Sequence, residues 1–133
     1  MSSFHLQIVT PDGLFYDGQA ERLNLRAAQG GLTILPRHTN FVTTVGMGPA
    51  TVTLDGQARL AACIGGMLSV INGEVRLIAT TFEWAQDIDT ARAKDALARA
   101  EEKLANTTLS KEEHRLAEAA KRRAQIRLNV AQA

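Results

Sequence analysis

Asp87-Ile88-Asp89-Thr90-Ala91-Arg92-Ala93 is the stretch on which the reading of this chain turns. Every glycine and proline lies at or before Gly73, and every lysine lies after Asp89. Residues 87–133 are rich in alanine, arginine, lysine and glutamate, the strongest helix formers, whereas the preceding segment is studded with turn residues. The seam therefore separates residues 1–86, a β domain, from residues 87–133, a helical one. Asp89 suits the N-cap of the first helix, and Ile88 before it is placed to pack on Ala93 as a hydrophobic staple.

Size and charge bound the possibilities. A chain of 133 residues is one small domain with an appendage or two very small domains, and it can bury only a modest core. Residues 1–86 carry five arginines, no lysine and six acids, and residues 87–133 carry ten bases and eight acids. Neither half is basic enough to argue for nucleic acid. The one cysteine, Cys63, excludes an internal disulfide and fits a reducing compartment. No leader pattern opens the chain and no apolar run nears the roughly 20 residues of a membrane span, so a soluble protein is expected, with no direct membrane insertion.

Working back from the seam, short apolar runs alternate with turn signals, as in an all-β sandwich or barrel. Phe4, Leu6 and Ile8 alternate with His5 and Gln7, and Arg22-Leu23-Asn24-Leu25-Arg26 alternates in the same way. Thr10-Pro11-Asp12-Gly13 reads as a turn. Asp55-Gly56 and Asn72-Gly73 favour primed two-residue hairpin turns, joining Thr51–Leu54 to Ala58–Ile64 and Met67–Ile71 to Val75–Thr80. With few aromatics, the core is expected to be aliphatic. Gly65-Gly66 reads as a bulge or a close strand crossing. Arg37, His38, Thr39, Asn40 and Phe41 read either as an exposed turn whose aromatic offers a functional surface or as an ordinary loop with one core phenylalanine, the second slightly favoured.

Working forward, Ala93, Leu97, Ala100 and Leu104 repeat at helical spacing. Asn106-Thr107-Thr108-Leu109 breaks the pattern, and Ser110-Lys111-Glu112-Glu113 is a capping box that starts a second helix. So short a break makes the two helices antiparallel neighbours. Their facing positions are largely alanine, so the seam between them is thin, and the hairpin can open without unfolding the sandwich.

Arginines gather in this section. Arg92 and Arg99 share one side of the first helix, while Arg123 and Arg127 share the phase of Leu116 and Ala120 on the second. An unpaired guanidinium at the seam is costly. One reading supplies Asp89, Glu101, Glu102 or Glu113 as partners, with the arginine stems lying over the seam and their heads in water. The other makes the guanidinium forks a polyphosphate clamp.

Four motifs in order then carry a resemblance. Val9-Thr10-Pro11-Asp12-Gly13, Ile34-Leu35-Pro36-Arg37-His38 after Gly30, Gly65-Gly66-Met67-Leu68-Ser69-Val70, and Asp87-Ile88-Asp89 with Arg92-Ala93 are together similar to the epsilon subunits of bacterial rotary F-type ATP synthases, whose mitochondrial counterpart is named delta. The likeness spans essentially the whole chain. Thr33 and Arg37 depart from the family's usual glycines, Met67 from an aromatic, and Trp84 and Gln86 from the usual alanine and glutamate.

The resemblance implies a non-catalytic central-stalk rotor subunit. Its β-sandwich would dock on the gamma subunit and the ring of membrane c-subunits, on the cytoplasmic side of a bacterial plasma membrane. Its helical hairpin would be a mobile regulatory element, extended toward the alpha/beta catalytic head to block ATP hydrolysis and folded down to release it. No cofactor is required, and ATP would be a regulatory ligand of the down state. Carried over residue by residue, Glu83 and Ile88 would lie near the adenine, and Asp89 would hold Arg92 and the helix start. Ala93 would leave room, and Arg92, Arg99, Arg123 and Arg127 would face the phosphates, with Arg122 a competitor. A ligand that binds one state alone stabilises it by about 2.7 kcal/mol at a hundredfold excess over Kd, enough to tip a thin seam.

Cys63 sits in an apolar strand and suits a core role, His5, His38 and His114 show no metal-ligand spacing, and no Gly-x-x-x-x-Gly-Lys phosphate loop is present. An independent enzyme is therefore disfavoured. The alternative is a free-standing sandwich and hairpin adaptor that binds acidic partners.

Overall fold

The computed structural model describes residues 2–27 and 30–133. The chain divides into two compact units, Met1–Trp84 and Ala85–Ala133. The first is a seven-stranded sheet in the order β2-β1-β7-β6-β5-β3-β4. Its strands are β1 (Phe4–Thr10), β2 (Gly13–Ala20), β3 (Arg22–Ala27), β4 (Gly30–Ile34), β5 (Phe41–Leu54), β6 (Gln57–Ile71) and β7 (Glu74–Trp84). All neighbours are antiparallel except β1 and β7, which run parallel.

Both predicted hairpin turns form. Asp55 and Gly56 have φ of 50° and 77°, and Asn72 and Gly73 have φ of 51° and 82°, the positive pair that a type I′ turn demands. The strands they join are longer than the sequence reading had them. The Gly65-Gly66 pair does not end a strand but bends one, so that β6 runs unbroken from Gln57 to Ile71.

That bend explains the sandwich. On β6 the inward residues are Ala61 and Cys63 before the glycine pair, then Leu68 and Val70 after it, so the facing parity switches from odd to even. On β5 it switches between Val45 and Ala50, and on β7 between Ala79 and Phe82. The three long strands thus turn a corner together, as strands do when they pass from one layer to the other. Leu6 and Ile8 of β1 consequently share a single core with Leu23 and Leu25 of β3, although three strands separate them in the sheet. The core is chiefly aliphatic, as expected, but it also takes in Phe4, Phe82 and Trp84.

The second unit starts with a short 3₁₀ turn at Ala85–Asp87 and consists of α1 (Thr90–Leu104) and α2 (Lys111–Gln132). Asp89 is the N-cap of α1, its carboxylate accepting from the Arg92 amide at 3.0 Å. Ile88 and Ala93, the predicted staple pair, are both buried. Ser110 and Glu113 form the predicted capping box, with the Glu113 amide donating to Ser110 Oγ at 3.1 Å and the Ser110 amide donating to Glu113 Oε1 at 3.2 Å. Among the described residues, no helix is long and apolar enough to cross a membrane.

Candidate functional site

Two surfaces carry chemistry, one on each unit. On the hairpin, α1 and α2 pack on each other, and the buried residues are Ala93 and Ala100 of one helix and Ala117, Ala124, Leu128 and Val130 of the other. Leu97 and Leu104 of the predicted stripe are only half-buried. Each of the four candidate arginines stands one residue before a buried position: Arg92 before Ala93, Arg99 before Ala100, Arg123 before Ala124 and Arg127 before Leu128.

One residue back is a turn of about 100° around a helix. In an antiparallel pair that rotation carries both helices' preceding residues to the same side of the hairpin. The four arginines therefore share one side. Arg92 and Arg123 lie level, each ~18 Å from the connecting loop at 1.5 Å per residue, with Arg99 nearer the loop and Arg127 beyond. Arg122, two residues before Ala124, is turned about 200° from that buried position, so it faces away from α1 and is exposed, which separates it from the other four. Two of the acids considered as partners are occupied elsewhere, Asp89 with the α1 cap and Glu113 with the α2 cap. The bidentate pair on α2 joins Arg115 to Glu112, at 3.1 and 2.5 Å.

Glu83, the remaining candidate, belongs to the other unit. It is half-buried on β7, opposite Ala62 of β6, on the face away from Phe82 and Trp84.

On the sandwich, the outward face of five adjacent strands reads as rows set by register. One row runs Leu14–Val9–Ile78–Met67–Thr44, across β2, β1, β7, β6 and β5. The next runs Asp17–Gln7–Arg76–Ser69–Val42, and the third Gln19–His5–Glu74–Ile71. Leu14, Val42, Met67, Ile71 and Ile78 are each about half exposed, forming an apolar strip with a polar margin. A scatter of single exposed hydrophobics needs no explanation, but a contiguous row does. Sequence reasoning missed this strip, because the strand ends it rests on were read too short and the outward residues were never aligned across strands.

Other features went unread as well. Phe15, Phe82 and Trp84 form a cluster with ring centroids 5.2 to 5.8 Å apart, and the Arg59 guanidinium lies 4.0 Å over the Trp84 ring. Such contacts link residues distant in the chain and leave no local signature. In the Leu35–Phe41 loop, Arg37 takes a positive φ of 65°, a conformation that glycine adopts without the cost a side chain brings. His38 stacks on the half-buried Phe41 at 4.9 Å. Cys63 is buried as expected, and burial pushes its thiol up to about 12, so it carries no thiolate at neutral pH.

Comparison with known proteins agrees across the whole chain. Residues 3–85 match the family described as ATP synthase, Delta/Epsilon chain, beta-sandwich domain, and residues 86–132 match ATP synthase, Delta/Epsilon chain, long alpha-helix domain. An ATP synthase epsilon chain of Bacillus velezensis is 41% identical over 131 residues, covering 98% of each chain. That of Caldanaerobacter subterraneus subsp. tengcongensis is 38% identical over 130 residues, covering 97% of this chain and 94% of the relative. Among solved structures, a chain of the Euglena gracilis mitochondrial ATP synthase OSCP/F1/c-ring assembly superposes with a TM-score of 0.83 at 18% identity, over 100% of this chain and 83% of that one. At that identity the likeness speaks for the fold.

Proposed function

The chain belongs to the delta/epsilon chain family of ATP synthases, and from that premise we propose that it is a non-catalytic rotor subunit whose sandwich docks on the gamma subunit and the ring of c-subunits. Its place is then peripheral, on the cytoplasmic side of a bacterial plasma membrane. The observation that carries the docking reading is the strip of Leu14, Ile78, Met67, Val42 and Ile71. Fully burying an aliphatic side chain contributes about 1.5–3 kcal/mol, so half-exposed residues have roughly half of that left for a partner to supply. Several in a row give a specific interface a centre, and Arg76, Glu74 and Asp17 beside them give it a polar rim.

Co-expression with the gamma subunit tests this. The wild-type chain should co-purify stoichiometrically, and Met67→Glu and Ile78→Glu should lose the complex while keeping the wild-type circular dichroism. Binding undiminished in both variants would remove the strip from the interface, and failure of the wild type would remove the docking reading itself.

The hairpin, in this reading, is a brake on ATP hydrolysis that reaches the alpha/beta catalytic head, and ATP bound at the arginine-bearing side holds it down. Four guanidinium groups on one side of a thin alanine seam support it, since arginine forks match phosphate oxygens. Glu83, Ile88, Asp89 and Ala93 keep the roles of adenine neighbours, helix anchor and clearance. Isothermal titration of the chain with ATP should give saturable binding that Arg92→Ala and Arg123→Ala weaken at least tenfold. No binding into the millimolar range would end the sensor reading and leave the subunit reading intact.

A further inference from the structure

The polar margin of the sandwich face is organised around a histidine that neither reading uses. His5 on β1 lies between Asp17 of edge strand β2 and Glu74 at the start of β7. Its Nδ1 stands 2.6 Å from Glu74 Oε2, and its Nε2 is hydrogen-bonded to Asp17 Oδ1. An ionised carboxylate only accepts, so each ring nitrogen must bring a proton. A neutral imidazole has one N–H and can serve only one of the two. Both bonds therefore exist together only in the imidazolium.

We infer that His5 is a proton-operated clasp: charged, it ties edge strand β2 and the β6–β7 hairpin to β1, and on losing its proton it releases one of them. The strand it holds on one side is an edge strand. β2 pairs with β1 alone. Glu74 directly follows the Asn72-Gly73 turn, and the Asn72 amide donates to Asn40 Oδ1 at 2.8 Å, so the hairpin end is coupled to the Leu35–Phe41 loop.

The groups facing His5 are few. From β2 come Asp17 and Gln19, the latter held by Ser3 Oγ at 2.8 Å. From β7 come Glu74 and, one pair further along the same face, Arg76. Gln7 on β1 lies between Asp17 and Arg76 and hydrogen-bonds Asp17. The sign of the pH response follows from the two acceptors. The hydrogen bonds to Asp17 and then Glu74 raise His5 above its ordinary value of 6.5, and the same His5 bond holds Asp17 below the usual carboxylate range. The clasp is therefore fully closed below the unfolded-state histidine value and opens as pH rises through the raised His5 value. On the acid side it opens as pH falls through the lowered Asp17 value.

The test uses the full chain. By NMR, the His5 ring should titrate above a histidine in an unstructured peptide, and Asp17→Asn should bring it down. The melting temperature of wild type should exceed that of His5→Gln near pH 6, and the gap should close across the His5 titration. Hydrogen-exchange protection of β2 amides, relative to the same variant, should fall over that range. A constant gap from about pH 6 to 9, or a His5 ring that titrates as in a peptide, overturns the clasp. Asp17→Asn keeps the test open should His5→Gln fail to fold, because it leaves the imidazole as its own reporter.

Discussion

Single residues decide the geometry of this sandwich at its corner. Gly66 has φ of 142°, and a Cβ placed there would lie 2.1 Å from the Ile78 carbonyl oxygen and 2.9 Å from the Ala79 Cα. Backbone cannot step aside as a flexible side chain can. Gly66→Ala should therefore cost more than about 3 kcal/mol in urea denaturation, through strain and overlap together. Gly31→Ala is the contrast, since nothing lies within 4 Å and its φ is unexceptional. It should be neutral or stabilise by up to about 1 kcal/mol through the unfolded chain. Equal losses in the two variants would show that the corner is softer than its contacts suggest. Arg59→Ala should cost about 0.5–1 kcal/mol and alter the fluorescence of Trp84, the single tryptophan, because it strips a cation from the face of that ring.

At the scale of elements, both helices begin on side-chain caps, which is why their starts were legible. Asp89→Ala should cost about 1 kcal/mol of α1 stability, read as faster hydrogen exchange in its first turn with α2 unaffected. The start of α2 should respond to acid. Hydrogen bonds from Ser110 hold Glu113 below the usual carboxylate range, so their contribution is present above the unfolded-state value and disappears as pH falls through the lowered one. Amide exchange at the α2 start should quicken over that interval in wild type and show no such step in Glu113→Gln. The hairpin turns were equally legible, because Asp-Gly and Asn-Gly state their backbone need locally. Strand lengths were not. A glycine pair signals a break and a bend alike, and only pairing with Ala79 and Thr81 on one side and Val45 and Met47 on the other shows that β6 continues. The arginine side of the hairpin could be approached from helical phase alone, whereas the apolar strip and the His5 clasp depend on cross-strand register, which no local pattern contains.

The molecule as a whole joins a unit with a filled core to one with almost none. The sandwich core is built entirely from residues up to Trp84, while the seam between α1 and α2 buries chiefly alanines. An alanine buries little beyond its own methyl, and helices of 15 and 22 residues are marginal without packing. The two units should not melt together. Ellipticity at 222 nm, dominated by the helices, should fall at a lower temperature than the change in near-UV signal from Trp84, and coincident transitions would show the units to be one cooperative block. A chain ending at residue 86 should still fold and still co-purify with the gamma subunit, since the apolar strip and its margin lie wholly within it. Assembled into the synthase, that shortened chain should leave coupling to the rotor in place and raise ATP hydrolysis severalfold over the full-length chain, most at low ATP, where no ligand holds the hairpin down. Equal hydrolysis with and without residues 87–133 would mean that the alanine seam serves no brake, and the weakness of that seam would then need another cause.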